Sequence, residues 1–129
     1  MENRTTSLNS IRPTIAISTE NSTPIEVFQS SSLRPILKFQ NELLLTIFNN
    51  YILDNKIQFA ELKEEKKKEF IFNHFKNNQA AKLFYLGIII GMFTKEEYTF
   101  YTSNKQEINK RITSMLIERL SSQLEKINL

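Results

Sequence analysis

Several residue types that carry chemistry are missing or scarce in this chain of 129 residues. It contains no cysteine, one histidine and two glycines. The absence of cysteine excludes disulfides, thiol catalysis and thiolate metal sites, and it fits a reducing compartment. Two glycines are too few for a phosphate-binding glycine-rich loop. With a single histidine, a zinc site would depend on carboxylate ligands, which is an unusual ligand set.

Long hydrophobic runs are also missing. The longest apolar run, residues 83–93, is shorter than the roughly 20 residues that a membrane-spanning helix needs. The first residues form no apolar secretory signal. Hydrophobic residues make up 40% and charged residues 24% of the chain, which is typical of one globular domain. We therefore expect a cytoplasmic protein without a membrane partner.

Residues 1–30 differ in composition from the rest of the chain. They are rich in serine, threonine and asparagine, they contain Pro13 and Pro24, and they show no helical period. This composition predicts a flexible, mostly disordered arm. One short extended segment, residues 14–18, is the part of the arm that could dock on the body.

Residues 31–129 show apolar residues at spacings of three and four, which predicts an all-α, single-domain bundle of about five helices. The third of them is apolar on nearly all sides, so we expect other helices to surround it at the centre of the core. The predicted helices span residues 32–54, 61–77, 79–90, 94–103 and 105–129.

The start of the fourth helix carries the most specific local signal. Thr94-Lys95-Glu96-Glu97 has the spacing of a capping box, in which the Thr94 hydroxyl and the Glu97 carboxylate each accept the other residue's backbone N–H. Phe93 before the cap and Tyr98 after it have the spacing of a hydrophobic staple. The pattern predicts a sharp helix-to-helix corner.

Both glycines fall just before this corner. Gly91 is placed to end the third helix with a positive φ angle. Gly87 lies one turn earlier, and its missing Cβ predicts the close approach of a neighbouring helix. A membrane helix and a ligand loop are disfavoured by the short apolar run and by the lack of further glycines.

Few residues are candidates for function. His74 lies on the inner face of the second predicted helix. Its position is compatible with a general base or a metal ligand. The alternative is a core-edge imidazole that bonds to a backbone carbonyl or a glutamate. Lys110 and Arg111 belong to residues 104–111, the nearest match to a nucleic-acid recognition helix, although Glu107 interrupts it. The sequence predicts no catalytic, cofactor-binding or metal-ligating residue and no cofactor.

Three segments together resemble a group of short proteins from Bacteroidetes, mostly flavobacteria. They are LRPILKFQNELL (residues 33–44), GIIIGMFTKEEY (residues 87–98), and NKRI (residues 109–112) followed by IERL (residues 117–120). Members of the group often carry the label glyoxalase, so the resemblance implies a glyoxalase-class, lactoylglutathione lyase-like enzyme. Glyoxalases of either type hold metals through histidine-containing sites, whereas this chain has one histidine and no strand pattern.

Three functional hypotheses therefore follow from the sequence. The first is a non-enzymatic domain that self-associates or binds a protein partner, because the amphipathic helices offer more apolar surface than one small bundle buries. The second is the glyoxalase-class enzyme that the resemblance implies. The third is nucleic-acid binding, which the mixed-sign charges (17 basic, 14 acidic) and net charge of only +3 support least.

Overall fold

A computed structural model describes residues 3–13 and 22–127 of the chain. These residues are mainly helical and include no strand, which confirms the all-α prediction. No helix within these ranges is both long and apolar enough to cross a membrane. The α-helices are α1 (Arg4–Ile11), α2 (Pro24–Phe28), α3 (Arg34–Asp54), α4 (Glu64–Asn77), α5 (Gln79–Ile90), α6 (Lys95–Ser103) and α7 (Lys105–Ser121).

A π-helical turn, Gln29–Leu33, joins α2 to α3. The helical stretch therefore begins at Pro24, earlier than the predicted start near Ser32. Thr23 and Glu26 form a capping box around the first turn, and Pro24 occupies a position where its missing N–H costs nothing. The serine-rich composition that predicted a flexible arm hid these local start signals.

Helix α1 also lies within the predicted arm. The Asn3 side chain accepts a hydrogen bond from the backbone N–H of Thr5 at 2.8 Å and so caps the helix. Leu8 is the buried residue of α1, so the helix shows no apolar period. The segment expected to be extended, residues 14–18, lies outside the described residues.

The inner faces predicted for α4 and α7 form much of the core. Ile71, His74 and Phe75 are buried on α4, and Ile108, Ile112, Thr113, Leu116 and Leu120 are buried on α7. Helix α7 ends at Ser121 rather than close to the C-terminus. The chain then turns back towards α3. Asn49 of α3 donates a hydrogen bond to the Lys126 carbonyl at 3.1 Å, and Ile127 is buried.

Helix α5 has the predicted bounds but not the predicted position. It packs on α3, α4 and α7 and buries Tyr85, Leu86 and Ile89. Leu83 and Phe84 are 57% and 58% exposed. The expectation that other helices surround α5 is therefore wrong, because its three neighbours leave one face of the helix uncovered.

Candidate interaction surface and cavities

The capping box predicted at the corner between α5 and α6 is present. Thr94 Oγ1 accepts the Glu97 N–H at 3.1 Å, and Glu97 Oε1 accepts the Thr94 N–H at 2.8 Å. Phe93 is buried, and its ring lies 5.7 Å from the Tyr101 ring. Tyr98 is 51% exposed. The aromatic contact of Phe93 on α6 therefore falls one turn beyond the predicted staple partner.

Gly91 does not have the predicted positive φ. Its φ is −60°, and no glycine among the described residues has a positive value. Arginines from the N-terminal segment instead bind the carbonyls after α5. Arg4 donates to the carbonyls of Gly91 at 2.7 Å and Phe93 at 3.2 Å, and Arg12 donates to the carbonyl of Met92. The last carbonyls of α5 itself accept the backbone N–H groups of residues 91–93, so the arginines satisfy the corner that follows the helix rather than the helix end.

Arg12 also forms an ion pair with Glu97. The two side chains are 8% and 15% exposed, and their nearest nitrogen and oxygen atoms are 2.6 Å apart. Burial alone would raise the pKa of Glu97, but hydrogen bonds from Arg12, Ser32 and the Thr94 N–H outweigh it and lower the pKa. Glu97 therefore joins α1, the π turn and the start of α6.

Gly87 does not mark a close approach between helices. It is exposed, and no neighbouring atom lies within 4 Å of the position that a Cβ would occupy. The prediction of a close helix contact within the monomer is therefore wrong. Gly87 instead lies on the uncovered side of α5.

The uncovered side of α5 continues onto α3. Phe39 and Leu43 on α3 are 44% and 47% exposed, and they precede half-buried Ile47 at spacings of four residues. Ile47 and Phe84 line the same cavity, about 430 Å³ in volume, between the two helices. We call this surface the α3–α5 apolar face; its residues are Phe39, Leu43, Ile47, Ala80, Leu83, Phe84 and Gly87.

The α5 half of this face carries no charge. The exposed residues of α5 are Gln79, Ala80, Leu83, Phe84 and Gly87. Across the seam, Gln40 donates a hydrogen bond to the Ile88 carbonyl at 3.3 Å, so the one polar side chain in the α3 stripe is satisfied within the monomer. What remains exposed is a largely apolar surface, and the cavity within it is also lined by His74 and Tyr85.

His74 lies in a cluster of aromatic rings. Its ring centroid is 4.4 Å from that of Tyr51, 5.3 Å from Phe75 and 5.4 Å from Phe48. Its Nε2 is buried without a hydrogen bond to the described residues, and burial lowers its pKa. No group of three or more potential ligands in the described part of the chain could hold a metal ion. The imidazole therefore packs as a neutral ring.

Tyr85 shares this environment, and its role was not visible in the sequence. Its hydroxyl is buried and has no hydrogen-bond partner among the described residues. Burial, with a smaller contribution from Tyr51, raises its pKa far above the ordinary value. A neutral histidine and a neutral tyrosine fill the space between α3, α4 and α5.

Lys110 and Arg111 lie on α7 and line a cavity of about 340 Å³ beside the π turn. Lys110 is exposed. Arg111 donates to Glu107 at 3.1 Å and to Gln29 at 2.8 Å, so the glutamate that interrupts the basic run engages its guanidinium. A larger cavity, about 530 Å³, adjoins this one and contains Arg34 and Arg119, two residues that the sequence did not single out.

Comparison with protein-family models, curated proteins and solved structures gave no match. The resemblance to the flavobacterial group therefore stays a prediction. Function has to be argued from the surfaces and cavities of this chain.

Proposed function

We propose that this protein is a self-associating helical domain, and that the α3–α5 apolar face is its contact surface. The observation that supports the proposal is the exposure of Leu83 and Phe84, 57% and 58%, in the middle of an uncharged helix face. Contiguous apolar surface of this kind on a small protein marks an interaction site. The partner that fits it best is a second copy of the chain.

Charge distribution favours a second copy over a different protein. A twofold contact places the same patch of each subunit against itself, so a charged residue near the axis would meet its own copy. The exposed positions of α5 carry no such residue, so a twofold contact through α5 would bring no like charges together. Specific heterologous partners are more commonly selected through complementary charges, which the α5 half of this face does not offer.

The size of the face suits a weak dimer. Phe39, Leu43, Leu83 and Phe84 each expose about half of their side chains, which gives roughly 400 Å² per copy on the scale of about 150–250 Å² for a large aromatic side chain. Burying this surface on both copies contributes about 20 kcal/mol at about 25 cal/mol per Å². Lost rotational and translational freedom and side-chain ordering offset most of that gain, so we expect micromolar rather than nanomolar affinity.

Gly87 provides the closest approach in such a dimer. Nothing in the monomer occupies the space beside its Cα, so two α5 helices crossing there could approach without side chains between them. The chain has no native cysteine, so a single introduced thiol reports one contact. Gly87→Cys should form a disulfide-linked dimer on mild oxidation, since this requires Cβ atoms about 3.5–4.5 Å apart. Phe72→Cys, at a 49% exposed position on α4 rather than on α3 or α5, should remain a monomer.

The equilibrium test is sedimentation velocity over a concentration series. Wild type should move from monomer to dimer as concentration rises, and Phe84→Glu should abolish the dimer by placing a carboxylate in the contact. Phe72→Glu makes the same exchange on α4, outside the face, and should behave as wild type. A wild-type chain that stays monomeric at millimolar concentration contradicts self-association, and equal effects of the two glutamates contradict the α3–α5 apolar face as the contact surface.

The glyoxalase and nucleic-acid hypotheses stay predictions. The first is tested by incubating the protein with methylglyoxal and glutathione in the presence of Zn²⁺ or Ni²⁺. The second predicts binding that falls steeply with salt and weakens on the double substitution Lys110→Ala and Arg111→Ala. Neither depends on the apolar face, so Phe84→Glu separates them from self-association.

A further inference from the structure

A second feature lies between the π turn and the C-terminal half of α7. It is a cavity of about 530 Å³ with a largely polar lining. The side chains that matter here are Gln29, Ser30, Arg34, Glu118, Arg119 and Ser122. π-Helical turns inside α-helices occur frequently at functional sites, and this turn supplies one wall of the cavity.

Side-chain amides of α3 and of the segment after α7 position the Arg119 guanidinium. Its Nη1 lies 3.4 Å from Oδ1 of Asn41. Asn41 and Gln123 in turn exchange two side-chain hydrogen bonds, at 2.9 and 2.8 Å, which fix the amide that receives the guanidinium. In the described part of the chain, this is the one contact that uses any of the five N–H donors of Arg119, so the remaining donors are available to a ligand.

The two arginines line one cavity together with Glu118, which forms an ion pair with neither of them. Within the described ranges, neither forms an ion pair within 4 Å, and the Arg34 side chain makes no hydrogen bond. Burial and the charge of Arg34 both lower the pKa of Arg119, and Glu118 acts in the opposite direction. By contrast, Arg4, Arg12 and Arg111 all donate to protein carbonyl or carboxylate oxygens.

We propose that this cavity binds a small phosphate-bearing anion between Arg34 and Arg119. A guanidinium presents paired N–H donors that match phosphate oxygens. The Ser30 hydroxyl and the Gln29 amide add neutral donors around the anion, whereas the Ser122 hydroxyl donates to the Arg119 carbonyl. Glu118 lowers the net charge of the cavity to +1 and supplies an acceptor, which favours a monophosphate ester with hydroxyl groups over a polyphosphate.

Arg34→Gln is the decisive variant. Arg34 is exposed and makes no hydrogen bond that its loss would break, so the variant should fold as wild type does. Lys110→Gln is the matched control. It also removes one positive charge, but Lys110 lines the adjoining cavity and not the cavity of Arg34 and Arg119. Binding is followed by ¹⁵N chemical-shift titration with sodium phosphate and with glucose 6-phosphate, at constant ionic strength set with sodium chloride.

For wild type we expect saturable shifts centred on the π turn and residues 115–123, with tighter binding of the ester than of inorganic phosphate. Arg34→Gln should weaken the affinity at least about tenfold, which is the loss of roughly one charge-assisted hydrogen bond, whereas Lys110→Gln should change it less than about twofold. Shifts that never saturate, or equal losses in the two variants, overturn the site. Tighter binding of pyrophosphate or of a single-stranded oligonucleotide than of glucose 6-phosphate also overturns it, in favour of a general basic surface.

Discussion

Replacing Arg12 with alanine should detach α1 from the bundle. Arg12 binds the Glu97 carboxylate with both terminal nitrogens, at 2.6 and 2.8 Å, and also donates to the Met92 carbonyl. Its side chain is 8% exposed. The substitution removes all these contacts and leaves a largely buried carboxylate without its cation.

The expected loss follows from these contacts. Removing one partner of a buried ion pair costs about 3–5 kcal/mol, and the lost hydrogen bond to Met92 adds about 1 kcal/mol. Two features reduce the total. Arg12 Nε is buried without a hydrogen-bond partner among the described residues, a cost of about 1–3 kcal/mol that the variant no longer carries. Glu97 also keeps the Thr94 N–H. We expect a net loss of about 2–4 kcal/mol in the free energy of unfolding.

Urea unfolding followed by circular dichroism measures this loss. Arg12→Ala should lower the midpoint with little change in slope, and the α1 amides should lose protection from hydrogen exchange. Glu97→Gln keeps a side-chain oxygen for the capping box and removes only the charge, so the two substitutions form a double-mutant cycle. A loss below about 0.5 kcal/mol, or a coupling energy near zero, would refute the assignment of α1 docking to this ion pair.

Other predictions concern the glycines and the response to pH. Gly87→Ala should raise stability by about 0.5–1 kcal/mol, because its Cβ meets nothing and alanine favours helix. Gly91→Ala should lower stability, because the new Cβ at position 91 would lie 3.0 Å from the Gly87 carbonyl oxygen. The melting temperatures of the two variants and wild type check both predictions. The lowered pKa of His74 means that the unfolded chain protonates first, so stability should fall below pH 6.5, and a second loss should follow below pH 4.5 as Glu97 protonates. Calorimetry at a series of pH values measures both losses of stability. His74→Phe should remove only the first of them.

The parts of the fold that the sequence predicted correctly are those with local causes. The bounds of α5 and the start of α6 follow from residues within one or two turns, such as the Thr94 capping box. The earlier start at Pro24 has an equally local signal in Thr23 and Glu26. This start signal is short, and the serine-rich composition around it predicts a flexible arm instead.

The features missed by sequence reasoning depend on contacts between distant residues. Arg12 and Glu97 are 85 positions apart, and no spacing rule connects them. The same holds for Arg34 and Arg119, which a π turn and the end of α7 bring together. The apolar period of α5 showed that the helix buries surface, but it did not show that the chain leaves one side of that helix open.

The length of the open side of α5 decides what kind of assembly it favours. The α5 residues of the α3–α5 apolar face span Ala80 to Gly87. At about 1.5 Å per residue this stretch is only about 11 Å long, and a second copy crossing at Gly87 covers it on both subunits. A contact that buries the same patch of both partners closes on itself. The uncovered face should therefore give a dimer that does not grow into a fibre.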